Sequence, residues 1–199
     1  MIGPDVIQKI CQIDPAFNSV ALKFPNYPLI QSTRHSENSF ESLVLTIISQ
    51  QLSGKAAKTI ADRLRNLVPI TPTTLLAADF AQLKSVGLSG AKAKSILALS
   101  EQITAGLDLA ELTKQHPEQI RDRLIQIWGV GNWTVDMFLM FDLCQPDIWP
   151  INDLGVQKGW QLLHELPERP TPAALSQFGE PFLGIRSAVA WYCWRALEL

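Results

Sequence analysis

The run Leu124-Ile125-Gln126-Ile127-Trp128-Gly129-Val130-Gly131-Asn132-Trp133-Thr134 constrains this chain more than any other feature. An apolar stretch runs into a Gly-x-Gly turn and a second helical segment opens directly behind it. The spacing therefore predicts two helices joined by a hairpin whose glycines can adopt positive φ. Such a turn points backbone N–H groups outward at a helix N-terminus, where an anionic phosphate can dock with no side chain in the way. Taken alone, most such glycine pairs are a helix C-cap followed by a turn. Asp153, twenty residues beyond Trp133, adds an acidic group at the head of another predicted helix.

With 199 residues, 47% hydrophobic and 18% charged, the chain can bury a sizeable core in one domain or two closely packed lobes, and an ordered chain is expected. No apolar run approaches the roughly 20 residues needed to span a membrane, and Met1-Ile2-Gly3-Pro4-Asp5 lacks the basic start of a signal peptide. A soluble cytoplasmic protein is expected, nucleoid-associated if the source is bacterial. Cys11, Cys144 and Cys193 are scattered, which fits a reducing compartment and gives no metal-ligand spacing. Neither zinc nor an iron–sulfur cluster is expected. The net charge of −2 counts against a nucleic-acid partner, because phosphate neutralisation usually shows as a basic excess. A protein that grips phosphate through backbone amides and a few lysines does not need one. Lys55-Ala56-Ala57-Lys58 and Gly90-Ala91-Lys92-Ala93-Lys94 are candidate basic spots, with a solvated helix face as the competing explanation.

Apolar spacing is helical almost throughout. Leu43, Ile47, Ile48, Leu52, Ala56, Ile60 and Leu64 predict a buried helix, a break near Ser53-Gly54 and a second, amphipathic helix. Pro69-Ile70-Thr71-Pro72 ends it, and Thr71, Thr73 or Thr74 is expected to cap a helix running through Phe80. Val86-Gly87-Leu88-Ser89-Gly90 predicts a second, weaker hairpin before a helix over 91–105. Pro117 opens the helix that enters the main hairpin, and Asn132 or Thr134 begins the next, running to Leu143. The last helices are predicted over 154–166, 171–178 and 186–197. The expected fold is all-α: a two-lobed bundle of roughly ten helices carrying a helix-hairpin-helix element, with a cleft between the lobes. Residues 40–125 would form a central lobe, about 118–166 the hairpin and catalytic segment, and 167–199 the C-terminal helices packing with 1–39.

Ile127 to Phe141 resembles the hairpin of the helix-hairpin-helix DNA glycosylases of the 3-methyladenine DNA glycosylase II type. Ile48-Ser49-Gln50-Gln51-Leu52-Ser53, Gly87-Leu88-Ser89 with Lys92-Ala93, Pro150-Ile151-Asn152-Asp153-Leu154-Gly155-Val156, and Arg186-Ser187-Ala188 with Trp191, Tyr192 and Trp194 are similar to further segments of that family, in the same order. The match covers roughly residues 40–195 and fits the compact members, since the segment ahead of Phe40 is too short for the extra mixed α/β lobe of the larger bacterial form. Pro181-Phe182-Leu183-Gly184 departs from the pattern, standing where the family often has further aromatics.

The resemblance implies a monofunctional glycosylase that hydrolyses the N-glycosidic bond of alkylated purines in duplex DNA by base flipping and leaves an abasic site. Cleavage builds positive charge on the deoxyribose, and an anion held beside it favours the transition state. Asp153 is the candidate. Its plainer role is the N-cap of the helix at Leu154, and the two are compatible because a helix N-terminus favours an anionic side chain. Asn152 could be the cap instead. Trp133 stands where strand-cutting members carry a lysine, and an indole cannot act as that amine nucleophile. Trp133, Trp194, Met137 and Tyr192 are the candidate base pocket, each with core packing as its alternative, and Trp128 and Trp191 are further aromatic candidates. Gly129, Gly131, Thr134, Gln51 and Leu52 are the candidate DNA contacts. Gln51 or Leu52 would fill the gap left by the flipped base, unless Leu52 is simply packed. The carbonyls of Ile125, Ile127 and Val130 are implied as ligands of a monovalent cation, Na+ or K+; no other cofactor is expected. The expected partner is damaged double-stranded DNA, bound by a monomer. Two rival classes remain at this level: a helix-hairpin-helix module that binds DNA without chemistry, and an all-α interaction protein whose glycine turns are structural.

Overall fold

Ser, Thr, Asp and Asn side chains placed just ahead of apolar-periodic runs start most of the helices, because their oxygens accept N–H groups that the first turn cannot satisfy itself. The computed structural model describes residues 5–28 and 38–199, and the regular structure of these is entirely helical. The N-terminal signal-peptide criterion falls mostly on residues 1–4, outside the described residues, as does 29–37 of the N-terminal packing segment. The chain divides into two units, Met1–His35 with Leu139–Leu199, and Ser36–Phe138.

Helices α1 (Val6–Ile13) and α2 (Asn18–Lys23) belong to the first unit. The second unit follows with α3 (Ser39–Ser49), α4 (Gly54–Leu67), α5 (Pro72–Ala77), α6 (Phe80–Ser85), α7 (Gly90–Thr104), α8 (Leu109–Leu112), α9 (Pro117–Leu124) and α10 (Asn132–Met137). The break between α3 and α4 falls where the sequence predicts it, with Ser53 accepting from the amide of Ala56. The single helix expected from Thr71 through Phe80 is instead two. Thr71 and Thr74 form a reciprocal cap on α5, Ala78 is extended, and Asp79 starts α6 by accepting the amide of Ala81 at 3.1 Å. A fresh capping carboxylate in mid-run ends one helix and begins another. The core of this unit is the apolar stripe of α3, comprising Phe40, Leu43, Val44, Ile47 and Ile48, against Ala57, Ala61 and Leu64 of α4 and Ala93, Ile96 and Leu99 of α7.

The helix expected to run from the hairpin to Leu143 is α-helical only to Met137 and continues as a π-helical turn over Phe138–Asp142. The first unit then resumes with α11 (Leu154–Leu163), α12 (Pro172–Phe178) and α13 (Arg186–Ala196). A Cβ at Gly159 would lie 1.9 Å from the carbonyl oxygen of Cys193, so glycine is what lets α11 rest on the backbone of α13. Around this pair Trp160 stacks on Phe178 and His164, with ring centroids 5.5 and 4.2 Å apart, and Phe17 and Phe182 meet it edge-on. The N-terminal helices α1 and α2 pack on α13.

Candidate active site

In the second unit, the hairpin between α9 and α10 is built on one glycine that the fold requires and one that it does not. Gly129 has φ +78°, and a Cβ there would lie 1.8 Å from Oγ of Ser95 on α7. Gly131 has an ordinary φ of −100°, and its Cβ would meet nothing within 4 Å. A side chain at position 131 would therefore project into open space rather than into the protein. In α10 the amide of Val135 is bonded to the carbonyl of Gly131, so the N–H groups of Asn132, Trp133 and Thr134 precede the first helical hydrogen bond. Arg121 and Asp136 brace the two arms with a 2.7 Å ion pair whose side chains are only 20% and 12% exposed. Trp128, at the turn, is 56% exposed.

Thr134, a candidate DNA contact, sits at the head of α10. Its side chain is buried, and its hydroxyl accepts the amide Nε2 of Gln50 at 2.8 Å, leaving only the backbone to face a ligand. The same Nε2 donates to the carbonyl of Gly129 at 3.2 Å. Gln51 follows with φ +55°, a left-handed conformation uncommon for a residue with a side chain. Both Gln51 and Leu52 are exposed, Leu52 by 39%, so the packed alternative for Leu52 does not hold. Lys92, read from sequence as part of a basic spot, turns inward: its Nζ donates to the carbonyls of Ile48 and Gln50 at 2.8 and 2.7 Å, and burial lowers its pKa. Lys58 is exposed and paired with Asp62 at 2.7 Å.

In the first unit, Asp153 rather than Asn152 is the N-cap of α11. Its Oδ1 accepts the amide of Val156 at 2.7 Å and the indole N–H of Trp194 at 2.8 Å. Trp194 stacks on Phe141 at 5.7 Å and lies against Gly155, where a Cβ would come within 2.7 Å of the indole. The approach to Asp153 is fixed from several sides. Ser187, fully buried, accepts the amide of Ile148 and donates to the carbonyl of Gln145; Gln157 donates to the carbonyl of Ile151; Trp149 donates to the carbonyl of Leu175. Arg186 grips Asp147 with two hydrogen bonds of 2.6 and 2.7 Å. Burial acts to raise the Asp147 pKa, but Arg186 and the amide of Gly184 outweigh it and hold the carboxyl below its usual range. The Asp153 carboxylate, with two N–H donors on one oxygen, is held in one orientation, which suits it to stabilise a neighbouring cation.

The structure thus joins Asp153 to Trp194 directly. Trp133 is half-buried and Met137 buried, both in the second unit. Tyr192 is fully buried in the first unit, with Trp191 edge-on at 4.9 Å and Tyr27 at 6.4 Å; burial pushes its hydroxyl pKa up to about 12. It is a core side chain. Sequence reasoning missed the inward Lys92, the Gln50 amide and the Arg186–Asp147 pair, because each joins residues far apart in the chain.

A family model described as HhH-GPD superfamily base excision DNA repair protein matches residues 44–182. DNA-3-methyladenine glycosylase 1 of Schizosaccharomyces pombe is 34% identical over 167 residues, covering 80% of this chain and 73% of that protein. The putative DNA-3-methyladenine glycosylase YfjP of Bacillus subtilis is 31% identical over 172 residues, covering 80% of this chain and 59% of that protein. Among solved structures, the S. pombe 3-methyladenine DNA glycosylase Mag1, in complex with abasic DNA, superposes with a TM-score of 0.86 at 29% identity, over 98% of this chain and 97% of that one. The chain belongs to the HhH-GPD superfamily of base excision DNA repair proteins. Within it, the relatives place the chain with the DNA-3-methyladenine glycosylases. No helix among the described residues is long and apolar enough to cross a membrane.

Proposed function

We propose that this chain, a DNA glycosylase of the 3-methyladenine type, hydrolyses the N-glycosidic bond of alkylated purines in duplex DNA and leaves the strand intact at an abasic site. The observation that carries the mechanism is the Asp153 carboxylate, held by the Val156 amide and the Trp194 indole N–H. As the bond from C1′ to the base nitrogen breaks, its electron pair leaves with the base and neutralises the charge that alkylation put there. The sugar becomes cationic, Asp153 stabilises it, and water adds to C1′ and loses a proton. A cationic leaving group needs no general acid, and Trp133 supplies no amine for a covalent intermediate. Trp194, in the same unit as Asp153, offers an electron-rich face to a positively charged purine. Neutral oxidised purines, which need specific polar partners, would be poor substrates.

The hairpin would anchor duplex DNA through the backbone around Gly131, and Gln51 or Leu52, both exposed at the turn between α3 and α4, would fill the gap left by the flipped nucleotide. The carbonyls of Ile125 and Val130 accept no backbone N–H among the described residues, and that of Ile127 accepts only Val130 at 3.0 Å. These three carbonyls would be the ligands of a Na+ or K+ ion, which would add positive charge beside a phosphate. We place the enzyme in the cytoplasm as a monomer; its three free cysteines suit a reducing compartment. The test is incubation with methylated duplex DNA and, separately, with duplexes carrying 8-oxoguanine. Free 3-methyladenine and 7-methylguanine with alkali-labile sites support the reading. Preference for 8-oxoguanine would overturn the substrate class, and base release from neither would overturn the enzyme.

A further inference from the structure

We propose that Lys92 is a positioning residue for base extrusion, joining with Gln50 to mount the exposed Gln51–Leu52 turn rigidly on the hairpin. The inference rests on the glycosylase reading above and assigns this lysine a part in the flipping step rather than in phosphate binding.

Three observations converge on the turn. The carbonyls at the end of α3 have no helical N–H to accept, and a cation is the favoured partner at that pole of a helix. Lys92 reaches across from α7 and donates to two of them, those of Ile48 and Gln50. Next, the side chain of Gln50 reaches the other way, donating to the carbonyl of Gly129 and the hydroxyl of Thr134 at the hairpin. Gly129 in turn sits so close to Ser95 of α7 that no side chain would fit between them. The turn, the hairpin and α7 therefore form a closed loop of contacts, all within the second unit. Finally, Gln51 holds a left-handed backbone at the centre of this loop, a conformation that persists only where surrounding structure enforces it.

A wedge inserted into a base stack does work against stacking and pairing, and a loosely mounted one would yield instead of the DNA. Lys92 is poorly placed for the alternative task of neutralising phosphate, since two of its three N–H groups point into the protein.

The test compares single-turnover release of 7-methylguanine from two duplexes, one with the lesion opposite cytosine and one with it as an unpaired bulge, where extrusion costs little. With Lys92→Met, release from the paired site should fall on the order of 10-fold and release from the bulge by less than about threefold, with recovery in Lys92→Arg. The salt dependence of binding to undamaged duplex should not change. Equal losses on both duplexes would overturn the proposal in favour of a purely structural role. A fall of about one in the salt slope would overturn it in favour of a phosphate contact. If Lys92→Met does not fold, Gln50→Met, which cuts only the link to the hairpin, is judged by the same ratio. Wild-type protein inactive on both duplexes would overturn the glycosylase reading and this inference together.

Discussion

Trp194→Phe separates the two things that Trp194 can do. Phenylalanine keeps an aromatic face against Phe141 but removes the indole N–H that Asp153 accepts at 2.8 Å. A hydrogen bond to a charged acceptor contributes about 1.5–3 kcal/mol, and because Asp153 is only half-buried, water can replace part of it, which favours the lower end. The Val156 amide at 2.7 Å still holds the same oxygen, so the carboxylate loosens rather than swings away. If the loss of about 1.5 kcal/mol is expressed fully in the transition state, single-turnover release of 7-methylguanine slows by roughly tenfold. Asp153→Asn, which removes the charge itself, should cost on the order of 10²-fold or more while leaving DNA binding intact. The decisive assay is the double variant. If the indole acts through Asp153, Trp194→Phe adds nothing further in the Asp153→Asn background, because groups acting as a unit are not additive. A single variant within twofold of wild type, or the same tenfold loss in the double variant, would refute the reasoning and leave Trp194 as a stacking surface alone.

Gly129→Val should destabilise the protein by roughly 2–5 kcal/mol, the sum of a disfavoured positive φ and the collision with Ser95, as read by thermal melting. Gly131→Val should melt near wild type yet bind damaged and undamaged duplex alike more weakly, as measured by fluorescence anisotropy. Arg121→Met should cost about 2–3 kcal/mol in denaturant unfolding by removing a charge partner from the part-buried Asp136, with partial recovery in Arg121→Met/Asp136→Asn. The lowered Asp147 pKa gives stability that is present above the unfolded carboxyl pKa of about 3.9 and is lost as pH falls through the folded one. Asp147→Asn should flatten that part of the acid-unfolding curve.

Much of this protein was legible from the sequence because the relevant physics is local. Whether Gly129 can adopt φ +78°, whether Ser53, Ser89 and Asp153 can cap the helix behind them, and which face of α3 is apolar depend on residues a few positions apart. The same local logic failed at Asp79, where one more capping side chain split a predicted helix. What the tertiary structure alone decided is direction. Nothing near Lys92 in the chain says that it turns inward to carbonyls more than forty residues away, and nothing near Thr134 says that its hydroxyl is taken by Gln50. Tyr192 and Trp194 lie two positions apart on α13, yet one is sealed in the aromatic core and the other reaches the carboxylate of Asp153. Side chains on a helix differ in fate by the 100° rotation between successive positions, and only the packed neighbours fix which of them meets the core and which meets the site.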